Sequence, residues 1–286
     1  AVVAFLALVV VLRYLVFPQA DGYRHDIAAS VSRASGMTVA IAHVDAGWYG
    51  LRPQLSMTGV SVADRRGKAY FALERADITL SWWTLLAGDL RFRDVDLYRP
   101  QLRLRRGADG LIYLADKPLN APASEDDGKL SRWLLAQPHL AIHDATLAWQ
   151  DEITGAPELE LRQVEIAMRK SGRHHLAALR ATPPADLAEK VDLRADLRFT
   201  QGSDGWKVAG TVYGETGRAD LARLRSYLPV PETLRTAVGS LRAWADVEPG
   251  RVREITADMN LTGVRAQLAD DAQPLDLETL TGRAFY

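Results

Sequence analysis

The chain has 286 residues, 35 Lys and Arg against 36 Asp and Glu, and no cysteine. A near-zero net charge supplies no basic field to gather nucleic acid, and the missing thiols exclude a disulfide framework and any thiolate metal site. Compartment and partners must therefore be read from the order of the residues.

The first seventeen residues, AVVAFLALVVVLRYLVF, carry one charge, Arg13, and stop at Pro18. As a helix they reach about 25 Å, slightly less than the ~30 Å hydrocarbon core of a bilayer. Arg13 lies one turn from the downstream end, where its stem can carry the charge to the interface. The run is apolar on every face, unlike an amphipathic core helix. Phe17 and Pro18 stand where cleavage of a signal peptide needs small residues. The chain opens on Ala1, so further residues are expected to precede it, and 1–17 is read as an uncleaved transmembrane anchor. Residues 18–36 read as a short juxtamembrane helix: Asp21 can cap it, Ile27, Ala28, Val31 and Ala34 share a face, and Gly36 ends it.

From residue 37 the patterning is of strand type, broken by turn clusters such as ADRRGK, RRGADG and QGSDG. A first β block spans 37–114, and a second spans 130–286. Between them ADKPLNAPASEDDGK, residues 115–129, reads as an exposed loop. Four short helices are expected, over 81–88 (SWWTLLAG), 183–190 (PPADLAEK), 217–229 (GRADLARLRSYLP) and 231–239 (PETLRTAVG).

Within the strands the apolar alternation changes phase. With Φ for an apolar residue, LRFRDVDL (90–97) reads Φ-x-Φ-x-x-Φ-x-Φ, and the order returns in LSMTGVSV (55–62), LELRQVEI (159–166) and MNLTGVRA (259–266). LAIHDATL (140–147) is a looser fifth copy. On a helix the four apolar positions would point in scattered directions. On a strand, a one-residue bulge at the x-x pair, or a turn between two short strands, returns both halves to one face. The intervening Arg91, Arg93, Asp96, Glu160, Arg162 and Glu165 are charged, so the opposite face is wet. One wet and one dry face per strand point to a mainly antiparallel, meandering sheet. Roughly fifteen strands at ~4.8 Å spacing would extend about 70 Å. Either two such sheets close as a sandwich, or the dry face lines something. The residues concerned are Leu55, Met57, Val60, Val62, Leu90, Phe92, Val95, Leu97, Leu159, Leu161, Val164 and Ile166: core in the first case, lining in the second.

The segments VDAGWYGLRPQLSMTGVSVAD (44–64) and ADITLSWWTLLAGDLRFRDVDLYRPQLRLRRGADG (76–110), after an apolar N-terminus and a short helix, resemble the start of the AsmA-like proteins. The likeness is to their long YhdP branch, and LRSYLPVPETLRTAVGSLRAWADV with MNLTGVRAQLADDAQPLDLETLTG is similar to that branch too. The resemblance implies an N-terminal fragment of a protein of the bacterial inner membrane, single-pass, with its bulk in the periplasm. It further implies a long β-sheet curled into an apolar groove, akin to bridge-like lipid transfer proteins. The ligand implied is membrane phospholipid, held by its acyl chains, and envelope proteins are possible partners.

No reactive signature stands against this reading. His139 and His143 beside Asp144 have a spacing that serves a metal on a helix but lie in a strand pattern. His174 and His175 point to opposite sides of a strand and are expected on the surface. Trp48, Trp82, Trp83, Trp149 and Trp244 are read as packing anchors. GETG lacks the Lys and Ser or Thr of a phosphate loop, and no serine sits in a nucleophile elbow. The sequence thus points to no enzyme, no catalytic residue, no metal and no cofactor. The leading reading is a lipid conduit between inner and outer membranes; the alternative is a structural or assembly factor with a closed β core.

Overall fold

The computed structural model of the chain describes residues 2–35, 38–63, 69–82, 92–114, 117–119, 129–202, 205–228, 230–267 and 273–286. Helix α1 (Val2–Val11) passes through a π-helical turn, Leu12–Val16, and a 3-10 stretch, Phe17–Tyr23, into α2 (Arg24–Ser35). The expected uniform span over 1–17 is thereby corrected. The ten α-helical residues of α1 cover about 15 Å, and no helix among the described residues is long and apolar enough to cross a membrane. The cause is local. The Phe17 N–H bonds to the Leu12 carbonyl, five residues back, and Pro18 then has no N–H to offer the next carbonyl.

Asp21 does not cap α2. Its carboxylate accepts the Val44 N–H at 3.0 Å and a guanidinium N–H of Arg24 at 2.8 Å, with His43 at 2.8 Å. The bond from the Val44 N–H, more than the nearby charges of His43 and Arg24, holds the Asp21 carboxyl below the usual carboxylate range. About three turns further on, the Ser32 hydroxyl accepts the Val39 N–H at 2.9 Å. Both N–H groups lie on β1 (Thr38–Tyr49), the first strand of the sheet. The segment from Asp21 to Ser35 therefore covers a sheet edge that would otherwise offer free backbone donors.

The remaining strands are β2 (Arg52–Ala63), β3 (Ala69–Leu80), β4 (Phe92–Tyr98), β5 (Gln101–Arg106), β6 (Ile112–Leu114), β7 (Lys117–Pro118), β8 (His139–Asp151), β9 (Leu159–Ser171), β10 (His174–Thr182), β11 (Val191–Gly202), β12 (Gly205–Asp220), β13 (Leu234–Glu248), β14 (Arg251–Ala266) and β15 (Leu275–Phe285). They form one long open sheet in the order β1-β2-β3-β4-β8-β9-β10-β11-β12-β13-β14-β15, with β5, β6 and β7 beside the path. Neighbours are antiparallel except β8, which runs parallel to both β4 and β5 and so carries one sheet through the two sequence blocks. A parallel pair needs a crossover. The crossover from β7 to β8 contains α3 (Lys129–Ala136), a helix the sequence reading left inside a loop and the start of a strand block.

Three of the four expected short helices are also corrected. Residues 183–190 form turns in which Leu187 and Ala188 are buried and Ala188 bridges to Ala219. Over 217–229, β12 continues to Asp220, whose carboxylate accepts the Arg223 N–H at 3.2 Å and caps the single turn α4 (Leu221–Leu224). Most of 231–239 is the start of β13. In each case pairing with a neighbouring strand outweighs the local helical preference. Of 81–88, Trp82 is helical and 83–88 lies outside the described residues, as does Leu90.

The phase changes share one physical origin. The second x residue has a positive φ in four of the five copies: Gly59 (60°), Asp144 (51°), Gln163 (49°) and Gly263 (59°). Arg99 (51°) does the same in VDLYRPQL, a copy the sequence reading missed. In the remaining copy Arg93 is a bulge, since Thr79 pairs with Asp94 and Leu80 with Phe92. In none of the first five copies does the x-x pair lie between separate strands, whereas Arg99 and Pro100 of the sixth join β4 to β5. Where β2 bends, its register with β1 and β3 is unbroken, so all three strands exchange faces together. Pairing aligns the bends in a crease across the sheet, through His43, Thr58, Arg75, Tyr98 and His143. A β-carbon on Gly59 would lie 2.8 Å from that of Ala42 in addition to its left-handed φ. Gly59→Val is expected to cost roughly 2–3 kcal/mol, whereas Gln163→Gly, which relieves the same backbone conformation, costs nothing measurable. Urea midpoints of the two variants check the contrast.

Candidate functional site: an apolar face across the whole sheet

Two rows of side chains, in register from strand to strand, run across the sheet on one face. One row is Val44, Met57, Ala76, Leu97, Ile142, Ile166, Leu179, Leu193, Gly214, Ala243, Ala257 and Ala284. The next is Ala46, Leu55, Ile78, Val95, Leu140, Met168, Ala177, Ala195, Val212, Ala245 and Ile255. Neither contains a polar side chain. At ~4.8 Å per strand they extend about 50 Å.

The opposite face is their electrical inverse. Its row along the crease is His43, Thr58, Arg75, Tyr98 and His143, then Glu165, Arg180, Asp192, Glu215, Arg242, Asp258 and Arg283. Neighbours pair charge with counter-charge: Arg180 to Asp192 at 2.9 Å, Arg242 to Glu215 at 3.6 Å, and both nitrogens of Arg283 to Asp258. Arg194, and after it Arg180, hold the Asp192 carboxyl below its ordinary value against the opposing effect of burial. A carboxylate whose pKa is lower folded than unfolded contributes stability above its unfolded value, near 4, and loses it as pH falls through the folded value. Melting temperature should therefore decline below about pH 4, and Asp192→Asn should lower it at neutral pH while flattening the acid limb. Melting curves across that pH range test the sign.

The two halves of the apolar face differ in cover. Over β1–β4 and the start of β8, helices α2 and α3 lie on it. Ala20 and Ala28 join Ile41, Val44, Met57, Val60, Leu73, Ala76 and Ile78 in one buried cluster. On α3, Trp133 and Leu134 pack on Val62, Phe71 and Leu114, and Trp133 meets Phe92 nearly edge to face, ring centroids 6.4 Å apart. Beneath this cover lies an apolar cavity of ≈ 250 Å³, walled by Met57, Val60, Val62, Val95 and Leu97 among others, with Val31, Trp133 and Leu134 as its roof.

From β9 onward most of the face has no such roof. Leu161 and Ile166 pack half-buried around Val164, Ala145 and Ala181, and Leu159 pairs with Trp149 toward the far rim. Leu221 of α4 covers the rim near Leu261 and Val264. In the first row Leu193 remains open to solvent, as does Leu280 on the last strand, β15, and Gly214, Ala243 and Ala257 make a shallow floor. Of the sequence-predicted residues, the structure brings Leu55, Met57, Val60, Val62, Phe92, Val95 and Leu97 together around the covered part. It places Leu159, Leu161, Val164 and Ile166 one strand into the second block. The sequence reading missed the roof and the small-residue floor. The i, i+3, i+4 spacing of Leu130, Trp133 and Leu134 in the sequence, with Pro138 just beyond the last turn, was the available signal for the roof.

Two expectations about polar and aromatic residues are corrected. His175 is not on the surface: it is buried under the end of α3, where its Nε2 lies 2.9 Å from the Leu135 carbonyl and its ring meets Phe199 edge to face. Trp244 is not a core anchor but an exposed ring on the charged face, against Tyr213. His143 lies between Asp96 and Glu165, 3.1 Å from each. Among the described residues no group of three or more His, Cys, Asp and Glu could hold a metal ion.

An open, mostly antiparallel sheet with continuous apolar rows on one face and charged rows on the other defines a class of protein with a long hydrophobic surface, roofed by helices over its first part. The sequence as a whole agrees: it matches the family described as YhdP protein over residues 1–285, and the chain belongs to that family. It is 24% identical over 259 residues to the intermembrane phospholipid transporter YhdP of Escherichia coli (strain K12), an alignment covering 88% of this chain and 19% of that protein. The chain thus spans about a fifth of its relative. No solved structure matches it.

Proposed function

We propose that this chain is the inner-membrane end of a phospholipid conduit. Acyl chains lie along the two apolar rows while headgroups stay in water. The N-terminal segment holds the chain at the inner membrane, the bulk stands in the periplasm, and the path leads toward the outer membrane. The chain acts by transport and not by catalysis. The observation that carries this reading is the continuity of the rows, the first with one apolar residue from every strand of the path and the second from every strand but β15. Each buried methylene contributes about 0.8 kcal/mol without a directional contact, so hydrocarbon gains affinity along such a surface without a fixed stopping point. Beyond the roof, from β9 to β15, most of the strip is left without a helix above it, and an uncovered apolar strip marks a binding surface. The relative's name, an intermembrane phospholipid transporter, supports the same ligand.

The covered half favours a second reading, a structural or envelope-assembly factor in which β1–β4 is an ordinary closed core. Mass spectrometry of the gently purified chain, with photocrosslinkers at Ala195 and at Val95, separates them. Phospholipid adducts at Ala195 support the conduit; adducts at neither site, with no copurified phospholipid, support the structural reading.

A further inference from the structure

The hairpin between β1 and β2 turns through Gly50 and Leu51, since Tyr49 pairs with Arg52. Gly50 has φ of 59°, as the first central position of a tight hairpin demands. The second central position is commonly polar. Here it is Leu51, 79% exposed, next to Tyr49, 64% exposed. Two other tips on this rim carry no large apolar side chain: Gly172 and Arg173 between β9 and β10, Pro249 and Gly250 between β13 and β14.

The tip is not isolated. Trp48, the residue before Tyr49, lies 5.1 Å from Phe17 and 6.0 Å from Trp82, ring centre to ring centre. Arg13 and Phe17 share a cleft with Trp48. These contacts set the tip beside the turn that carries Tyr14 and Leu15, both also exposed. Above that turn Val3, Val10 and Val11 of α1 are exposed as well. One cluster of exposed apolar residues is therefore gathered at this corner, as an apolar rod with an aromatic collar and two flanking arginines, Arg13 and Arg52. Aromatic rings and arginines whose stems are apolar collect at the boundary between headgroups and acyl chains.

We infer that the β1–β2 tip is a second membrane contact, seating Tyr49 and Leu51 in the headgroup boundary of a phospholipid bilayer beside α1. This rests on the membrane-held reading above. It adds that the sheet is fixed in orientation against the bilayer and does not swing on its N-terminal segment. Two attachment points on one rigid element define a tilt, whereas one does not.

The chain has no cysteine, so Leu51→Cys and Ile153→Cys each provide one labelling site. Ile153 is an exposed apolar residue at the turn between β8 and β9, on the opposite rim. The intact chain, labelled with an environment-sensitive fluorophore, is mixed with phosphatidylethanolamine and phosphatidylglycerol vesicles carrying a shallow nitroxide quencher, and flotation is followed in parallel. The expected result is flotation of both proteins, with a blue shift and several-fold stronger quenching at position 51 than at 153. Flotation with equal quenching at the two positions overturns the inference and leaves the anchor standing. Absence of flotation overturns both. Tyr49→Cys, labelled in the same way, repeats the measurement if Leu51→Cys fails to fold.

Discussion

Val95→Asp is expected to unfold the covered half of the sheet. Val95 is 1% exposed, sits between Ile78 and Leu140 in the second apolar row, and forms part of the cavity wall beneath α3. Every group facing the new carboxyl there is hydrocarbon. It must either ionise without a partner or take up a proton and remain without a hydrogen bond, and the cost is roughly 4–5 kcal/mol. Against a typical total of about 5–15 kcal/mol, that is most or all of the stability of this half. Val95→Ala, which leaves only a small void, should cost about 1–2 kcal/mol. Urea unfolding followed by tryptophan fluorescence measures both, because Trp48, Trp82 and Trp133 all lie in this half. An aspartate variant with an unchanged midpoint would mean that α2 and α3 do not seal the face.

The sheet was legible because its signal is periodic. Alternation named the dry face, and the two-residue interruption named the places where strands bend. The left-handed backbone at Gly59 and Gly263 could be expected from glycine itself, but Asp144, Gln163 and Arg99 adopt it without that help. Their conformation follows from neighbouring strands that bend in the same row: the Arg99 N–H bonds to the His143 carbonyl and the Asp144 N–H to Glu165, so each strand holds the next in the crease. That is information about pairing, which no single strand contains.

What sits on the dry face was not legible for a related reason. Trp133 reaches the wall of β2 and β3 only because β4 and β8 are parallel, and nothing local announces a parallel pair inside an otherwise antiparallel meander. His175 is buried for the same cause, since the end of α3 comes down on β10. The helices expected at 183–190 and 231–239 show the reverse error. Their local preference is real, but Ala188 and Ala237 are buried against neighbouring strands, and strand pairing decides.

The division between a roofed half and an open half also orders the possible roles of the two. Large side chains, Val44, Met57, Leu97 and Ile142, predominate in the first row where helices lie above it. Gly214, Ala243, Ala257 and Ala284 follow where few do. A roof of short helices over large side chains retains only a cavity of ≈ 250 Å³, while a floor of glycine and alanine keeps depth for hydrocarbon. The open half is therefore where a charge should act on ligand and not on fold.

Leu193→Arg is the variant that isolates this. Leu193 is 39% exposed, between Leu179 and Gly214 in the first row, with no helix above it. An arginine there can extend its stem along the apolar floor and keep its guanidinium in water, so the unfolding midpoint should move by less than about 1 kcal/mol. An acyl chain passing the same point must strip that charge of water or lose its contact with the floor. Placing arginine against hydrocarbon costs about 2.5–3.5 kcal/mol, so occupancy of this stretch should drop on the order of a hundredfold. Asn260→Arg, which adds the same charge on the exposed opposite face, should leave lipid content unchanged. Phospholipid per mole of purified protein, measured by mass spectrometry for the three proteins beside their urea midpoints, gives the answer. A Leu193→Arg protein that folds normally and retains its full complement of phospholipid would show that lipid does not travel over the open rows. A protein emptied of lipid but intact, beside an Asn260→Arg protein that remains loaded, ties the ligand to this face.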